Sequence, residues 1–518
     1  VSVVEVNPGD TWKCNADLLI RATSPYYRPI MSGLSVDTVS FFVPRRLCVK
    51  NFGEIFGEAS PRPYIETVSV MNPAFETKQI VSPNSIADYL NFAVGQIPAG
   101  ATVDIFRAFA LCWNEWVRNQ NISYECYVYD DDVVHESEAL NDQAWSPTNY
   151  TGMPPKVMKV NDYFTTAMPN TQKYPTPSVL PLGTSAPVIS DGVMRFSNSN
   201  GDGDVRLRPA ETLSGATTVG ASLYNSDAGS TLETTDNLVY SSGLKVDLSD
   251  ATASNIQDFR VSAILQQIHE RDLRYGSRYT EFLSAAFGVY SPDGVLQRPL
   301  WLGSHRSIVD VQQVPQTSGS TESSPQGNMA GYTVSRSSHY FKKAFTEFGY
   351  IITCMCIRQQ HLYQQGVPRM YSRKSRTDFY DTAFNGIGMQ AVYESELYAT
   401  DGTSTGANGD SLRDNTKIFG YQEPFAEYKF IPNTITGQLR SGVTNSLDLY
   451  HLADYFAEAP TLSESFIHEN SENVDRALNS PSYEGDTRGL DNFIVRFDFD
   501  TTIYRVMPIY SDPGIRKV

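Results

Sequence analysis

The chain has 518 residues, of which 41% are hydrophobic, 12% aromatic and 19% charged, and its formal net charge is −17. This length allows a large buried core and roughly two to four domains. The acidic balance argues against a general nucleic-acid-binding protein, because affinity for phosphate requires Lys and Arg. Few charges and many aromatic residues favour a protein that buries surface against copies of itself, since aromatic residues are enriched and charges depleted at interface cores. An aromatic-rich β-sandwich that stays monomeric is the alternative interpretation.

The first part of the chain contains one predicted strand and two predicted helices. Residues 35–43 (SVDTVSFFV) have the β-branched and aromatic content of a strand, which Pro44 closes. Residues 85–94 (SIADYLNFAV) predict a helix. Residues 104–120 place their apolar side chains on one helical stripe, with Asp104 as the predicted N-cap.

A polar stretch then separates two halves of different composition. From residue 191 to residue 250 the chain is rich in Ser, Thr, Gly, Asn and Asp, and between residues 197 and 254 its only basic residues are Arg206, Arg208 and Lys245. Such a composition cannot bury much core by itself, so we expect an exposed insertion or a flexible loop. The polar segment 129–145 is also expected to face solvent.

The segment after the polar stretch predicts two helices and an extended run. Apolar residues recur at three- and four-residue spacing over 256–268, and Gly276 supplies a helix stop. A shorter helical pattern runs through Phe287, and the Ser-Pro-Asp-Gly turn at 291–294 leads into the extended segment 296–303. Because the first helix begins where the polar stretch ends, we expect it to return that stretch to the main fold.

The last part of the chain predicts two strands and a third helix. Residues 346–359 form a mostly apolar run, which is typical of a central strand covered on both faces. Residues 447–459 predict a helix, and residues 493–506 alternate between apolar and polar side chains as a half-buried strand does. Many strands separated by long loops with short helices predict an antiparallel sandwich.

No residue pattern in the sequence predicts catalysis, a cofactor or a metal ion. The six cysteines and seven histidines are dispersed, and HExxH, GxSxG, Walker A and GxGxxG motifs are absent. We therefore expect buried, reduced thiols and no zinc site. Carboxylates are dense enough for calcium at 130–132 and 200–204, but neither run has EF-hand spacing, so solvated turns are favoured.

The strongest cluster of positive charge is the segment RMYSRKSR, with Phe379 and Tyr380 following it. Arginines can contact phosphates while aromatic rings stack on unpaired bases, so the segment is a candidate contact for single-stranded DNA. Its candidate residues are Arg369, Tyr371, Arg373, Lys374 and Arg376. An inter-subunit salt-bridge cluster or a solvated face is the alternative. The basic pair at 516–517 is a second candidate.

A series of sequence blocks, in order over nearly the whole chain, carries a resemblance to one family. The blocks are NPGDTWKCNADLLIRATSPYYRPIMSGLSVDTVSFFVPRRL (7–47), WNEWVRNQN (113–121), NDYFTTAMPNTQK (161–173), IHERDLRYGSRYTEFLSAAFGVYSPDGVLQRPLWLG (268–303), PQGNMAG (325–331), FTEFGYII (345–352), YQQGVPRMYSRKSRTDFY (363–380), FGYQEPFAEYKF (419–430) and FDFDTTIYRVMPIYSDPGI (497–515). They resemble the major capsid proteins of the microviruses, small single-stranded DNA phages, in the branch called gokushoviruses.

The resemblance implies a mainly β fold, an eight-stranded antiparallel jelly roll of viral capsid type with long inter-strand insertions containing short helices. Residues 1–190 and 251–518 would form this domain, and residues 191–250 would be a surface insertion that projects at the threefold axes. The exposed residues of the insertion that we single out for host contact are Asn200, Asp202, Asp204, Tyr224, Asn225 and Asp227. Family members carry an N-terminal arm ahead of the first block, so we expect the arm to be processed or to lie outside this numbering.

The resemblance also implies the partners. Sixty copies would form a T=1 icosahedral shell around a circular single-stranded DNA genome, assembled in the host bacterial cytoplasm without membrane insertion. A small basic DNA-packaging peptide, an internal scaffolding protein, a DNA pilot protein and the bacterial surface would be further partners. Sixty copies at −17 each carry about −1,000 charges, so acidic residues should lie outward and basic patches or the peptide should neutralise the genome.

Two other classes of protein fit parts of the sequence. A cell-surface or secreted β-sandwich adhesin would also be acidic and rich in Ser, Thr and Gly, but a signal peptide would be expected, and none is visible. A glycan-processing β-sandwich enzyme would need paired carboxylates in a cleft.

Overall fold

The structure is a computed structural model, and it describes most of the chain. The described residues are 1–50, 52–56, 72–75, 78–126, 128, 152–173, 188–198, 204–209, 221–225, 238–246, 256–276, 278–290, 292–321, 325–386, 388–399, 417–478 and 491–507.

Strands predominate over helices among these residues. The strands are β1 Ser2–Val6, β2 Thr11–Ala22, β3 Leu34–Pro44, β4 Gln79–Val81, β5 Gly95–Ile97, β6 Val188–Asn198, β7 Asp204–Pro209, β8 Ala221–Asn225, β9 Leu238–Val246, β10 Leu300–Val309, β11 Val311–Pro315, β12 Met329–Ala344, β13 Gly349–Gln359, β14 Gln390–Tyr393, β15 Ile418–Gln422 and β16 Phe493–Tyr504. The α-helices are α1 Ile86–Tyr89, α2 Asp104–Cys112, α3 Ile256–Tyr275, α4 Tyr279–Phe287, α5 Glu394–Leu397, α6 Glu464–Ile467 and α7 Glu472–Ala477.

Two four-stranded antiparallel sheets form the core of the fold. Their strand orders are β1-β13-β3-β10 and β11-β12-β2-β16. Buried and half-buried residues alternate along β2, because successive side chains of a strand point to opposite faces. Leu18 and Ile20 of β2 share an apolar cluster with Leu34 and Val36 of β3, so the two sheets pack against each other. The predicted mainly β, antiparallel class is confirmed, and the two sheets are consistent with a jelly roll of viral capsid type.

The strands predicted at 35–43, 346–359 and 493–506 are confirmed as β3, β13 and β16. β13 lies inside its sheet, between β1 and β3. Ile351 contributes to the cluster shared with the second sheet, and Ile352 packs in a cluster with α2. The expected coverage of this strand on both faces is therefore also confirmed.

The prediction that Asp104 caps α2 is wrong. The N-cap is Val103, and Asp104 is the first helical residue, with its side chain fully buried. Its carboxylate accepts a hydrogen bond from the Tyr350 hydroxyl at 2.8 Å and pairs with Arg45 at 3.0 Å. A buried carboxylate requires charged or strong donors, and these partners supply them in place of the capping contact. The helix continues as the π-helical turn Trp113–Val117, so it ends three residues before the predicted end.

Two other predicted helices differ from the structure. Within 85–94 the α-helix consists only of the four residues of α1. The Ser85 hydroxyl caps it by accepting a hydrogen bond from the backbone N–H of Asp88. The prediction of a helix at 447–459 is wrong, because the segment contains a 3₁₀ turn, Asp448–Tyr450, followed by irregular backbone. Other segments satisfy this backbone: Leu452 donates to the Ser32 hydroxyl at 3.0 Å.

The helices predicted on either side of Gly276 are confirmed as α3 and α4. Gly276 has a φ of +98°, in the left-handed region that favours glycine, which explains why the helix stops there. Of the extended segment predicted at 296–303, only the end is a strand, because β10 begins at Leu300 and turns occupy 293–297.

The chain divides into two compact units, which we describe separately. One contains Val1–Lys173 and Glu270–Val518 and holds the two core sheets. The other contains Tyr174–His269, and its described strands form an antiparallel sheet in the order β8-β7-β6-β9. The composition of 191–250 did not predict these strands. The proposed domain division at 190 and 251 remains a prediction.

The cysteines are free thiols, four of them buried and two half-buried. Burial raises the pKa of the Cys354 thiol to about 11, so the nucleophilic thiolate is scarce near neutral pH. The prediction of buried thiols is confirmed for Cys14, Cys48, Cys112 and Cys126.

Candidate nucleic-acid and assembly surfaces

The basic segment 369–376 folds as two short 3₁₀ turns, Arg369–Tyr371 and Arg376–Asp378. The Asp378 carboxylate closes the second turn, accepting hydrogen bonds from the backbone N–H groups of Ser375 at 2.7 Å and Lys374 at 2.9 Å. These two donors lower the pKa of Asp378. The turn therefore fixes the backbone from which the basic side chains extend.

Two of the five candidate DNA-contacting residues are engaged in ion pairs within the chain. Arg369 lies 3.3 Å from Glu396 and donates to the Ala391 carbonyl at 2.7 Å. Arg373 pairs with Glu427 at 2.8 Å and stacks over the Tyr428 ring at 4.4 Å from its centroid. Their side chains are only 12% and 11% exposed. These two cations hold the segment to α5 and to the 3₁₀ turn Ala426–Tyr428.

The other three candidate residues face solvent. The Arg376 side chain is 94% exposed and lies 4.0 Å from Asp381, and Tyr371 is 72% exposed. Lys374 is exposed as well. The structure thus separates one sequence cluster into an anchoring pair and a solvent-facing group of two cations and an aromatic ring.

A cleft of about 710 Å³ lies beside this segment in the same unit. Its lining combines aromatic rings with cationic side chains: Arg274, Phe379, Tyr380, Glu423, Pro424, Phe425, Tyr428 and Lys429. Tyr380 packs edge-on against the buried Phe425, with ring centroids 5.4 Å apart. The sequence pointed to Phe379 and Tyr380, but the rest of the lining lies about 100 residues before or 50 after them, and no local signal identifies it.

A buried polar network joins several loops in the same unit. His361 donates or accepts at both ring nitrogens, with Asp454 at 2.7 Å and Glu469 at 3.2 Å. Asn473 donates to Asp454 at 2.7 Å, and Lys159 lies 3.8 Å from the same carboxylate. Burial alone would lower the pKa of His361, but the two carboxylates outweigh it and the pKa is raised.

Several large apolar side chains are exposed on the single chain. The most exposed in the first unit are Met31, Tyr124, Tyr290, Ile431 and Val506, each more than 80% exposed. In α3 the predicted apolar stripe leaves Phe259 and Ile264 more than half exposed. Association with another copy would remove such side chains from water, although scattered apolar residues also occur on the surface of monomeric proteins.

The candidate host-contact residues lie partly within the described residues. Asp204 begins β7, and Tyr224 and Asn225 end β8, so they are in the sheet of the second unit. Asn200, Asp202 and Asp227 lie outside the described residues. The polar segment 129–145, which includes the Asp130–Asp132 run, and the basic pair at 516–517 also lie outside them.

Where the structure describes the chain, it brings together no group of His, Cys, Asp and Glu suited to a metal ion. Nor does any helix there combine the length and apolar character that a bilayer span requires.

Comparison with known proteins identifies the family. A family model described as "Capsid protein (F protein)" matches residues 1–515. "Capsid protein VP1" of Chlamydia phage 1 is 33% identical, over 100% of this chain and 92% of that protein. The proteins of the same name in Spiroplasma virus 4 and Bdellovibrio phage phiMH2K are 33% and 34% identical, each over 99% of this chain and 91% of the relative. The chain therefore belongs to the phage capsid proteins, as a major capsid protein of gokushovirus type and a structural component of the virion.

Proposed function

We propose that sixty copies of this chain form a T=1 icosahedral shell that encloses a circular single-stranded DNA genome. The family match over residues 1–515 carries the proposal, because it covers both core sheets and the loops between them. The exposed apolar residues support it, since association of copies would remove them from water. The role is structural and not enzymatic.

The second part of the proposal concerns the outer surface. Residues 191–250 project from the shell and contact the bacterial host. Their polar composition supports an exposed position, and the sheet of β6 to β9 gives the insertion a folded framework. Exchanging this segment between related phages should transfer host range while particles still assemble.

The third part concerns the genome and the assembly partners. Tyr371, Lys374 and Arg376 contact the packaged strand, because they are exposed and combine phosphate-binding charge with a stacking ring. A small basic peptide supplies further positive charge that a chain of net charge −17 lacks. An internal scaffolding protein and a DNA pilot protein take part in assembly.

Electron microscopy tests the shell directly. The chain is co-expressed with the other structural proteins of its phage and purified by sedimentation. Uniform isometric particles are expected, with density for DNA inside the filled class. Monodisperse monomers, or filaments without closed particles, would contradict the proposal.

A further inference from the structure

We propose that the cleft lined by Arg274, Phe379, Tyr380 and Tyr428 binds an unpaired base of single-stranded DNA. The inference deepens the proposed genome contact and rests on it, because it assigns the base to a defined place beside the exposed cations. The occupant is a nucleobase stacked on aromatic rings, with its phosphate held by neighbouring positive charge.

The size and lining of the cleft suit this ligand. A volume of about 710 Å³ lies within the range of small-molecule pockets and exceeds the size of one base with its sugar. Phe379, Tyr380 and Tyr428 are 53%, 50% and 54% exposed, so part of each ring faces solvent. Phe425 is buried beneath Tyr380 and supports it from behind.

Cations at the cleft supply the second element of recognition. The guanidinium group of Arg274 lines the cleft and is always positively charged, so it supplies N–H donors suited to a phosphate. Lys429 is 67% exposed, and its salt bridge to Glu423 at 2.6 Å leaves ammonium protons for a further acceptor.

The position of the cleft distinguishes a DNA strand from an apolar side chain as its occupant. Arg373 joins the cleft to the basic segment, because it lies over both the Tyr428 ring and the Phe379 ring. Lys374 and Arg376 extend the same surface with exposed positive charge. A strand lying along this surface would place phosphates on the cations and one base in the cleft, whereas an apolar side chain would bring no negative charge to these cations.

The test measures how much of the DNA affinity depends on the base. Fluorescence anisotropy compares the binding of the unassembled full-length chain to oligo-dT and to an abasic strand of equal length and charge. We expect a preference for oligo-dT of about tenfold, from the known range of base–aromatic stacking. Tyr380→Ala should reduce this preference severalfold, and Tyr380→Phe should retain it. Tyr290→Ala, which removes an exposed tyrosine ring outside the cleft, is the control and should have no effect.

The outcomes separate this proposal from the genome contact on which it rests. One outcome is that the wild type binds both strands equally and that the Lys374→Gln/Arg376→Gln variant binds both more weakly. This outcome would overturn the proposal for the cleft and leave the genome contact intact. No binding of either strand would overturn both. If Tyr380→Ala fails to fold, photocrosslinking of bromodeoxyuridine-substituted DNA to the wild type decides the question. Crosslinks at Phe379, Tyr380 or Tyr428 are expected, and crosslinks confined to other residues would overturn the proposal.

Discussion

Gly366 lies at a point where two backbones approach each other closely. A Cβ atom at this position would lie 1.8 Å from the carbonyl oxygen of Glu396 in α5. The adjacent bond from the Val367 N–H to the Ser395 carbonyl, at 2.9 Å, fixes this approach. The position therefore excludes every side chain, and it sets the path of the chain into the basic segment.

Gly366→Ala should lower the free energy of unfolding by about 3 kcal/mol or more, because the added methyl group forces the two backbones apart. Urea denaturation of the unassembled chain measures the change. Gly319→Ala is the control, since a Cβ atom there meets nothing within 4 Å. Equal stability of the two variants would show that the segment at 366 packs differently.

His361 gives the fold a pH dependence with a defined sign. Its pKa is raised in the folded state, so the stabilisation it contributes is fully present below about pH 6.5, the unfolded value, and is lost as the pH rises through the folded value. His339 and His468 have lowered pKa values and act in the opposite direction, so the contribution of His361 must be isolated by difference.

His361→Gln should therefore destabilise the chain most at mildly acid pH. The difference in Tm between the wild type and this variant is measured from pH 5.5 to pH 9, and it should shrink as the pH rises. A difference that grows with pH would mean that the imidazole is neutral between Asp454 and Glu469.

At the scale of elements, the alternating and uniformly apolar strands were predictable and the loops were not. β3, β13 and β16 follow from local residue patterns, because their apolar, less exposed side chains repeat at a period of two or cover the whole strand. The helix predicted at 447–459 fails because contacts from distant segments fix its backbone. Asp454, for example, bonds His361, which lies 93 residues earlier.

The contacts of the basic segment also come from distant parts of the chain, so they could not be predicted from its local sequence. Its five candidate residues are visible in the sequence, but the carboxylates that engage two of them are 27 and 54 residues away. A single sequence does not show such pairings, so the division into anchoring and solvent-facing residues required the structure.

The division of the basic segment into anchoring and solvent-facing residues predicts different phenotypes for the two groups. Arg369→Gln/Arg373→Gln should destabilise the subunit by about 3 kcal/mol or more, because Glu396 and Glu427 lose their half-buried partners. Lys374→Gln/Arg376→Gln should leave folding and shell assembly unchanged and reduce the DNA content of particles. The ratio of absorbance at 260 and 280 nm of purified particles measures that content. If the Lys374→Gln/Arg376→Gln variant fails to form particles, the two residues belong to a subunit interface.

At the scale of the whole molecule, the composition and the exposed apolar residues lead to the same conclusion. A chain with 12% aromatic residues leaves Met31, Tyr290, Ile431 and Val506 in water when it stands alone. Contacts with different neighbours around different symmetry axes would cover such side chains in a shell. The adhesin and glycan-processing interpretations are not needed to explain any of these features.

The copy number of the closed particle tests the central proposal most directly. Native mass spectrometry of empty particles should give sixty times the mass of the subunit measured under denaturing conditions, which is about 3.5 MDa for a subunit of 57.6 kDa. A defined mass at this value supports the T=1 shell. A mass corresponding to another copy number, or no closed particle under conditions where the partner proteins are present, would contradict it.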